Sequence, residues 1–255
     1  MQARIVSPLH GARWLGEGWR LFRAAPLGWL VIVFGYYLLV SVVSVVPFVG
    51  FAAALVSVPA FSVSLMAAAR AAARKAPVQP ALLFEGFRNE LASQLVLGVI
   101  YLGCIWGVGA VTASLTDLTA VRSLLSGNER VEDAGEMQAL LRPIGVALLL
   151  YTPVMMMFWF APLLAAWHST APAKALFFSF AACLINWRAF LTYGGVLVLV
   201  IVALSLLARV ALGLLSGGTA PDPALIAGPL AIVFMPTLYA SFYASYRDVF
   251  GGEPV

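Results

Sequence analysis

The chain has 255 residues, 62% of them hydrophobic and only 10% charged, with a formal net charge of +4 and a mean hydropathy of +0.97. Soluble domains carry roughly 25% charged residues; a water-soluble fold of this size cannot hide so much apolar surface, so the solvent must largely be lipid. With no basic soluble domain to carry it, nucleic-acid binding is excluded, and Cys104 and Cys183, outside any C-x-x-C pair, argue against a disulfide scaffold or a zinc site.

The N-terminal stretch "MQARIVSPLHGARWLGEGWRLF" lacks the short apolar core and cleavage site of a signal peptide, and is expected to be retained. Between Arg23 and Arg70 no charge occurs for 46 positions. A span needs about 20 residues, so this stretch suits two, broken at "VPFVG" where Pro47 and Gly50 favour a turn. In chain order the predicted spans are Leu27–Val46, Phe48–Ala69, Gln94–Thr116, Ile144–Trp167, Ala189–Ala208 and Pro223–Tyr246. Their apolar runs are continuous, which excludes a membrane barrel. The predicted fold class is therefore all-α: a polytopic membrane helix bundle, six transmembrane helices in one integral membrane domain over residues 1–255. Its three hairpins lie at about 11–75, 80–167 and 171–250.

Orientation follows from the basic residues. Arg4, Arg13, Arg20, Arg23, Arg70, Arg74, Lys75, Arg88, Lys174, Arg188 and Arg247 fall on one side, out of 15 in all. The positive-inside rule then puts both termini in the cytoplasm of a multi-pass inner (cytoplasmic) membrane protein. The opposite side holds an uncharged turn, the segment Asp117–Arg142 and the "GGTAPD" connection with Arg209 nearby.

Each hairpin is preceded by an apolar or amphipathic stretch. "GARWLGEGWRLFRAAP" places Trp14, Leu15, Trp19 and Phe22 at helical spacing, and "PALLFEGFRNELAS" does so for Leu83, Phe84, Phe87 and Leu91. Such helices lie in the interface plane. The third, "APAKALFFSFAACLINWR", is apolar nearly all round and is expected to be buried between the spans. The second helices share a signature too. Pro59 and Pro236 are each followed eleven residues on by Arg70 and Arg247, and Pro162 twelve residues on by Lys174. Eleven residues rise about 16 Å, placing each proline near mid-span and each cation near the surface. This is the pattern of a threefold internal repeat.

Candidate contacts with partners or lipid headgroups are Trp19, Arg70, Asn186, Trp187, Arg188, Arg247 and Asp248. In "SFYASYRDVF", Tyr239, Tyr243 and Tyr246 suit an interfacial belt, with Arg247 reaching lipid phosphates. Alternatively, Arg247-Asp248 latches the last span onto a neighbouring helix. Asn186 could cap the fifth span and Trp187 sit at headgroup level. His168 ends span four; with His10 the only other histidine, no histidine-rich metal site can form. Met155, Met156 and Met157 suit deformable packing better than copper. Small residues at Gly103-x-x-x-Gly107 and Ser241-x-x-x-Ser245 permit close helix approach. The acidic segment Asp117–Arg142, with Met137, Leu140 and Leu141 on one face of a short helix, is either a solvated cap or a docking surface.

No helix centre carries Asp, Glu, Lys or Arg, which argues against ion-coupled transport. No Walker-type loop, G-x-S-x-G, H-E-x-x-H or carboxylate pair occurs in a span, so neither enzyme chemistry nor a cofactor is expected. At "FWFAPLLAAWHSTAPAKALFFSFAACLINWRAFLTYG", "SFYASYRDVF", "GWRLFRAAPLGWL" and "LFEGFR" the chain resembles a family of uncharacterised proteobacterial inner-membrane proteins. The helix plan is also similar to the membrane domain that accompanies some glycerophosphodiester phosphodiesterases, in layout alone and with no catalytic domain expected. The resemblance implies location and fold. Two functions are compatible with it. One is a non-catalytic scaffold, accessory subunit or assembly factor, packed solid, that binds other membrane proteins or its own copies within the lipid bilayer. The other is a lipid-binding or small-solute transport protein with a cavity near Pro59, Pro162 and Pro236.

Overall fold

A computed structural model describes residues 3–125, 134–215 and 223–251, and the described part is all-α. In order the helices are α1 (Pro8–Ala24), α2 (Pro26–Ser44), α3 (Gly50–Ala73), α4 (Glu85–Arg88), α5 (Leu91–Leu115), α6 (Thr119–Leu125), α7 (Ala134–Phe158), α8 (Ala161–His168), α9 (Pro172–Ile185), α10 (Trp187–Leu215) and α11 (Pro223–Phe250). A 3₁₀ turn, Pro80–Phe84, leads into α4. Prolines open α1, α2, α8 and α9, where a missing N–H costs nothing and the fixed φ already suits a helix.

Among the described residues, five stretches are long and apolar enough to cross a membrane: Pro26–Ser44, Gly50–Ala73, Leu91–Leu115, Met137–His168 and Trp187–Leu214. They match the first five predicted spans. The sixth is a continuous helix, α11, whose later half carries Thr237, Ser241 and Ser245, all buried. The bundle is organised around α3. Over half of its most apolar window is buried (56%), against none for α10 (0%). The hydrophobic core gathers at the end where the termini meet, marked by the Arg4 N–H bonded to the Val249 carbonyl at 2.7 Å.

Several expectations are corrected. The stretch from Pro80 is no single amphipathic helix: the 3₁₀ turn and one-turn α4 stop at Asn89, and Glu90 adopts φ 52 before α5 begins. Only Leu83 of its apolar set is buried; Phe84 is exposed and Phe87 stacks on Phe61 at 4.9 Å. The third stretch is not buried all round. The face of α9 bearing Ala175, Ser179 and Ala182 is buried, while Phe177 is 67% exposed. Met137, Leu140 and Leu141 belong to α7 and do not form a separate cap; residues 126–133 and the "GGTAPD" connection lie outside the described residues. Arg209 falls inside α10. The fourth span is broken at Trp159-Phe160, just before Pro162, which can donate no backbone hydrogen bond.

That break is mended from other elements. The Phe160 N–H donates to the Ser179 hydroxyl (2.9 Å), which donates in turn to the Met156 carbonyl (2.7 Å). Gln94 Nε2 donates to the Pro162 carbonyl (3.0 Å). With no water available at membrane depth, freed backbone groups need partners of this kind.

The short segments pack by a rule. Each sits mainly on the helix pair that precedes it: the 3₁₀ turn and α4 on α2 and α3, and α9 on α7 and α8. The first, α1, has no preceding pair and packs on the last, α10 and α11, closing a ring. Two of these contacts share one geometry. At Gly86 a methyl group would collide with the Ala60 carbonyl, and at Gly18 with the Thr237 carbonyl. Ala60 follows Pro59 and Thr237 follows Pro236, so glycine admits a backbone at the same place, one residue past the proline, in these two helices. Ser64 and Ser241, each five residues after its proline, stand beside those glycines: the Gly86 N–H donates to Ser64 Oγ at 3.0 Å, and Ser241 lies against Gly18.

Candidate functional site

Two arrangements hold the chemistry-bearing residues: a latch at the terminal face and a half-open cavity between the helices. The latch joins α1 to α11. Asp248 Oδ2 accepts the Trp14 indole N–H at 2.9 Å and lies 3.0 Å from His10 Nδ1, while Arg247 pairs with Glu17. Of the two alternatives for Arg247-Asp248, the structure has the latch. The tyrosine belt is corrected: Tyr243 and Tyr246 are buried in the core, and the Tyr246 hydroxyl lies 2.6 Å from His168 Nε2.

Asn186, expected as a helix cap, is buried and tethers the N-terminal arm. Its Oδ1 accepts the Val6 N–H (2.8 Å), and its Nδ2 donates to the carbonyls of Arg4 and Ala182, both at 3.0 Å. The neighbouring Trp187 is half exposed, with the Arg188 guanidinium 5.4 Å from its ring, and Trp19 is likewise exposed beneath Arg23. Arg70 lies apart from the latch, 4.5 Å over the Trp167 ring. Among the described residues Gly103 and Gly107 bring no helix close, since a methyl group at either would meet nothing within 4 Å. Ser245 does engage, accepting the Trp159 indole N–H at 3.1 Å. Among the described residues no cluster of His, Cys, Asp and Glu could hold a metal ion.

The cavity measures about 230 Å³ and lies between α3, α5, α7, α8 and α11. Pro59 and Pro162 line it, and Pro236, though buried, does not. Its walls are mainly aromatic, including Tyr101, Tyr151, Phe158, Trp159, Tyr239 and Phe242. The polar side chains of the wall are already partnered. Ser62 donates to its own helix at the Val58 carbonyl (3.0 Å). Tyr101 and Tyr151 bond each other, as do Tyr239 and Tyr37, both at 3.1 Å, while Tyr246 and Trp159 are held as above. The lining therefore offers an apolar surface, suited to an apolar chain and ill suited to a polar solute, which would need free donors and acceptors.

Of the two functions weighed from the sequence, the lipid-binding or transport one predicted a cavity near Pro59, Pro162 and Pro236; two of the three line it, and its aromatic wall was missed. Ser179, Gln94 and Glu17 were missed too. The available signal was the recurrence "EGWR" and "EGFR" at Glu17 and Glu85, which marks the glycines that dock.

No family model matches the chain, and no solved structure matches it. A probable inner membrane protein of Burkholderia thailandensis is 36% identical over 261 aligned positions, covering 98% of this chain and 94% of that protein. With its membrane-length helices, this chain is a membrane protein, and it belongs to the family of probable inner membrane proteins that the Burkholderia thailandensis relative represents.

Proposed function

We propose that this protein is a non-catalytic, six-span inner-membrane protein that holds an apolar lipid chain in the cavity between its helix pairs. The observation that carries the reading is the cavity itself, aromatic-walled, with its polar side chains already hydrogen-bonded within the protein. Pockets for whole drug-sized ligands run from about 300 Å³ upward; at about 230 Å³ this one suits a single chain. In a bilayer such a chain gains nothing from leaving water. Occupancy is favoured because an empty cavity forfeits dispersion contacts along its wall. The relative's name, the positive-inside pattern and the membrane-length helices support an inner-membrane location with both termini cytoplasmic.

Ser62 lines the cavity without bonding another helix, so Ser62→Trp fills it from one wall. Wild-type protein purified in mild detergent is expected to retain lipid detectable by mass spectrometry, and Ser62→Trp to retain little while melting at a similar temperature. Equal retention by both would overturn the reading. A second reading, a scaffold or accessory subunit binding other membrane proteins or its own copies, is favoured by the α5 face at Gly103 and Gly107, where an added methyl group would meet nothing within 4 Å among the described residues. Co-purifying protein in place of lipid would decide for it.

A further inference from the structure

The repeat geometry sets up an expectation about charge. Arg247 stands eleven residues after Pro236, and Glu17, the residue before the docking Gly18, pairs with it. Arg70 stands eleven residues after Pro59, and Glu85 precedes the docking Gly86, so the same pairing is available in principle. It is not made. Glu85 is held within its own turn by Asn89 Nδ2 at 2.9 Å, and the other carboxylate of this region, Glu90, bonds Ser169 Oγ at 3.2 Å. Arg70 makes no ion pair among the described residues; its guanidinium lies over Trp167 instead.

A second observation falls at the same place. Trp167 occupies the position five residues after Pro162, where the other two repeats have Ser64 and Ser241. Its indole Nε1 is buried without a hydrogen-bond partner among the described residues. A guanidinium and an orphan N–H side by side both call for an acceptor, and an anion answers both. The pair also adjoins the cavity. Arg70 lies one helical turn beyond Met66, a lining residue, and Trp167 stacks on Tyr246, another, at 5.2 Å.

We infer that Arg70 and Trp167 form a binding site for the phosphate of an anionic lipid whose chain occupies the cavity. The inference rests on the proposed cavity reading and adds to it the chemical class of the headgroup. The guanidinium supplies charge and paired donors, the indole a single donor, and the aromatic path through Tyr246 leads from headgroup to chain.

The test uses the purified full-length protein and native mass spectrometry. Phosphatidylglycerol is compared with diacylglycerol of the same chains, with and without inorganic phosphate. Wild type is expected to retain phosphatidylglycerol about tenfold over diacylglycerol, the lower end of what a hydrogen bond to a charged group contributes. Arg70→Gln should lose that preference while binding diacylglycerol as wild type does, and Arg70→Lys should keep most of it. Should Arg70→Gln fold poorly, Trp167→Phe, which removes only the donor, is expected to lose the preference in its place, and its retention there would count equally against the site. Retention of the preference by Arg70→Gln, or equal retention of both lipids by wild type, would overturn the headgroup site and leave the cavity standing. Failure of wild type to retain either lipid would remove the cavity reading itself. Displacement of phosphatidylglycerol by millimolar inorganic phosphate would identify free phosphate as the ligand and overturn the lipid assignment.

Discussion

Trp14 is fully buried, and its single polar atom ends on Asp248. Bulk and hydrogen bond can be separated there. Trp14→Phe keeps most of the packing and removes the donor, at an expected cost of about 1–2 kcal/mol; Trp14→Ala also opens a cavity and should cost about 3–5 kcal/mol. Thermal melting in detergent ranks the two, and an unchanged midpoint for Trp14→Phe would show that the bond contributes nothing. The Arg-Asp pair was legible in the sequence as a possible latch, because a charged pair at a helix end needs partners. Which partners it finds was not. Glu17 and Trp14 lie more than 200 positions away, and no local pattern links them.

The break between α7 and α8 sets the geometry of the cavity, because Trp159 and Phe160 leave the helix there and line the wall beside Phe158, the last residue of α7. Ser179 holds it by serving two backbone groups at once. Ser179→Ala leaves the buried Phe160 N–H unpaired and the Met156 carbonyl with only the weak Cys183 thiol bond at 3.6 Å, so a loss of about 1–3 kcal/mol is expected. Ser62→Ala, by comparison, gives up only a bond to its own helix and should cost under about 1 kcal/mol. Comparing their unfolding midpoints checks this; similar values would mean that the break is supported some other way. Pro162 announced a weak point in the fourth span. The remedy came from α9, whose composition suggests burial on all sides, because apolar content alone does not say which face packs.

The whole molecule is a ring in which each short segment packs on the pair before it and α1 closes back on the last. This puts both termini at one end, where the Arg4 amide meets the Val249 carbonyl. With the basic residues gathered toward the same end, that end is expected to be cytoplasmic. A phosphatase reporter fused after Gly251 should be inactive and one fused within Asp117–Arg142 active. The opposite pattern would invert the protein.

Membrane residence, helical class and the approximate span ends were readable in the sequence alone. They follow from local quantities, namely run length, charge spacing and proline position, and a bilayer enforces them on any chain. Pro59 and Pro162, two of the three prolines near which the lipid-binding or transport reading expected a cavity, do line it, whereas Pro236 does not. Tertiary structure decided which surfaces meet. Among the described residues, Gly18 and Gly86 dock while Gly103 and Gly107 do not; Tyr243 and Tyr246 turn inward; Arg247 pairs with a carboxylate and Arg70 does not. Within a bilayer, apolar matching does not discriminate among helix faces, since lipid tails are equally apolar. The choice falls to close backbone approach and hydrogen bonding between residues far apart in the chain.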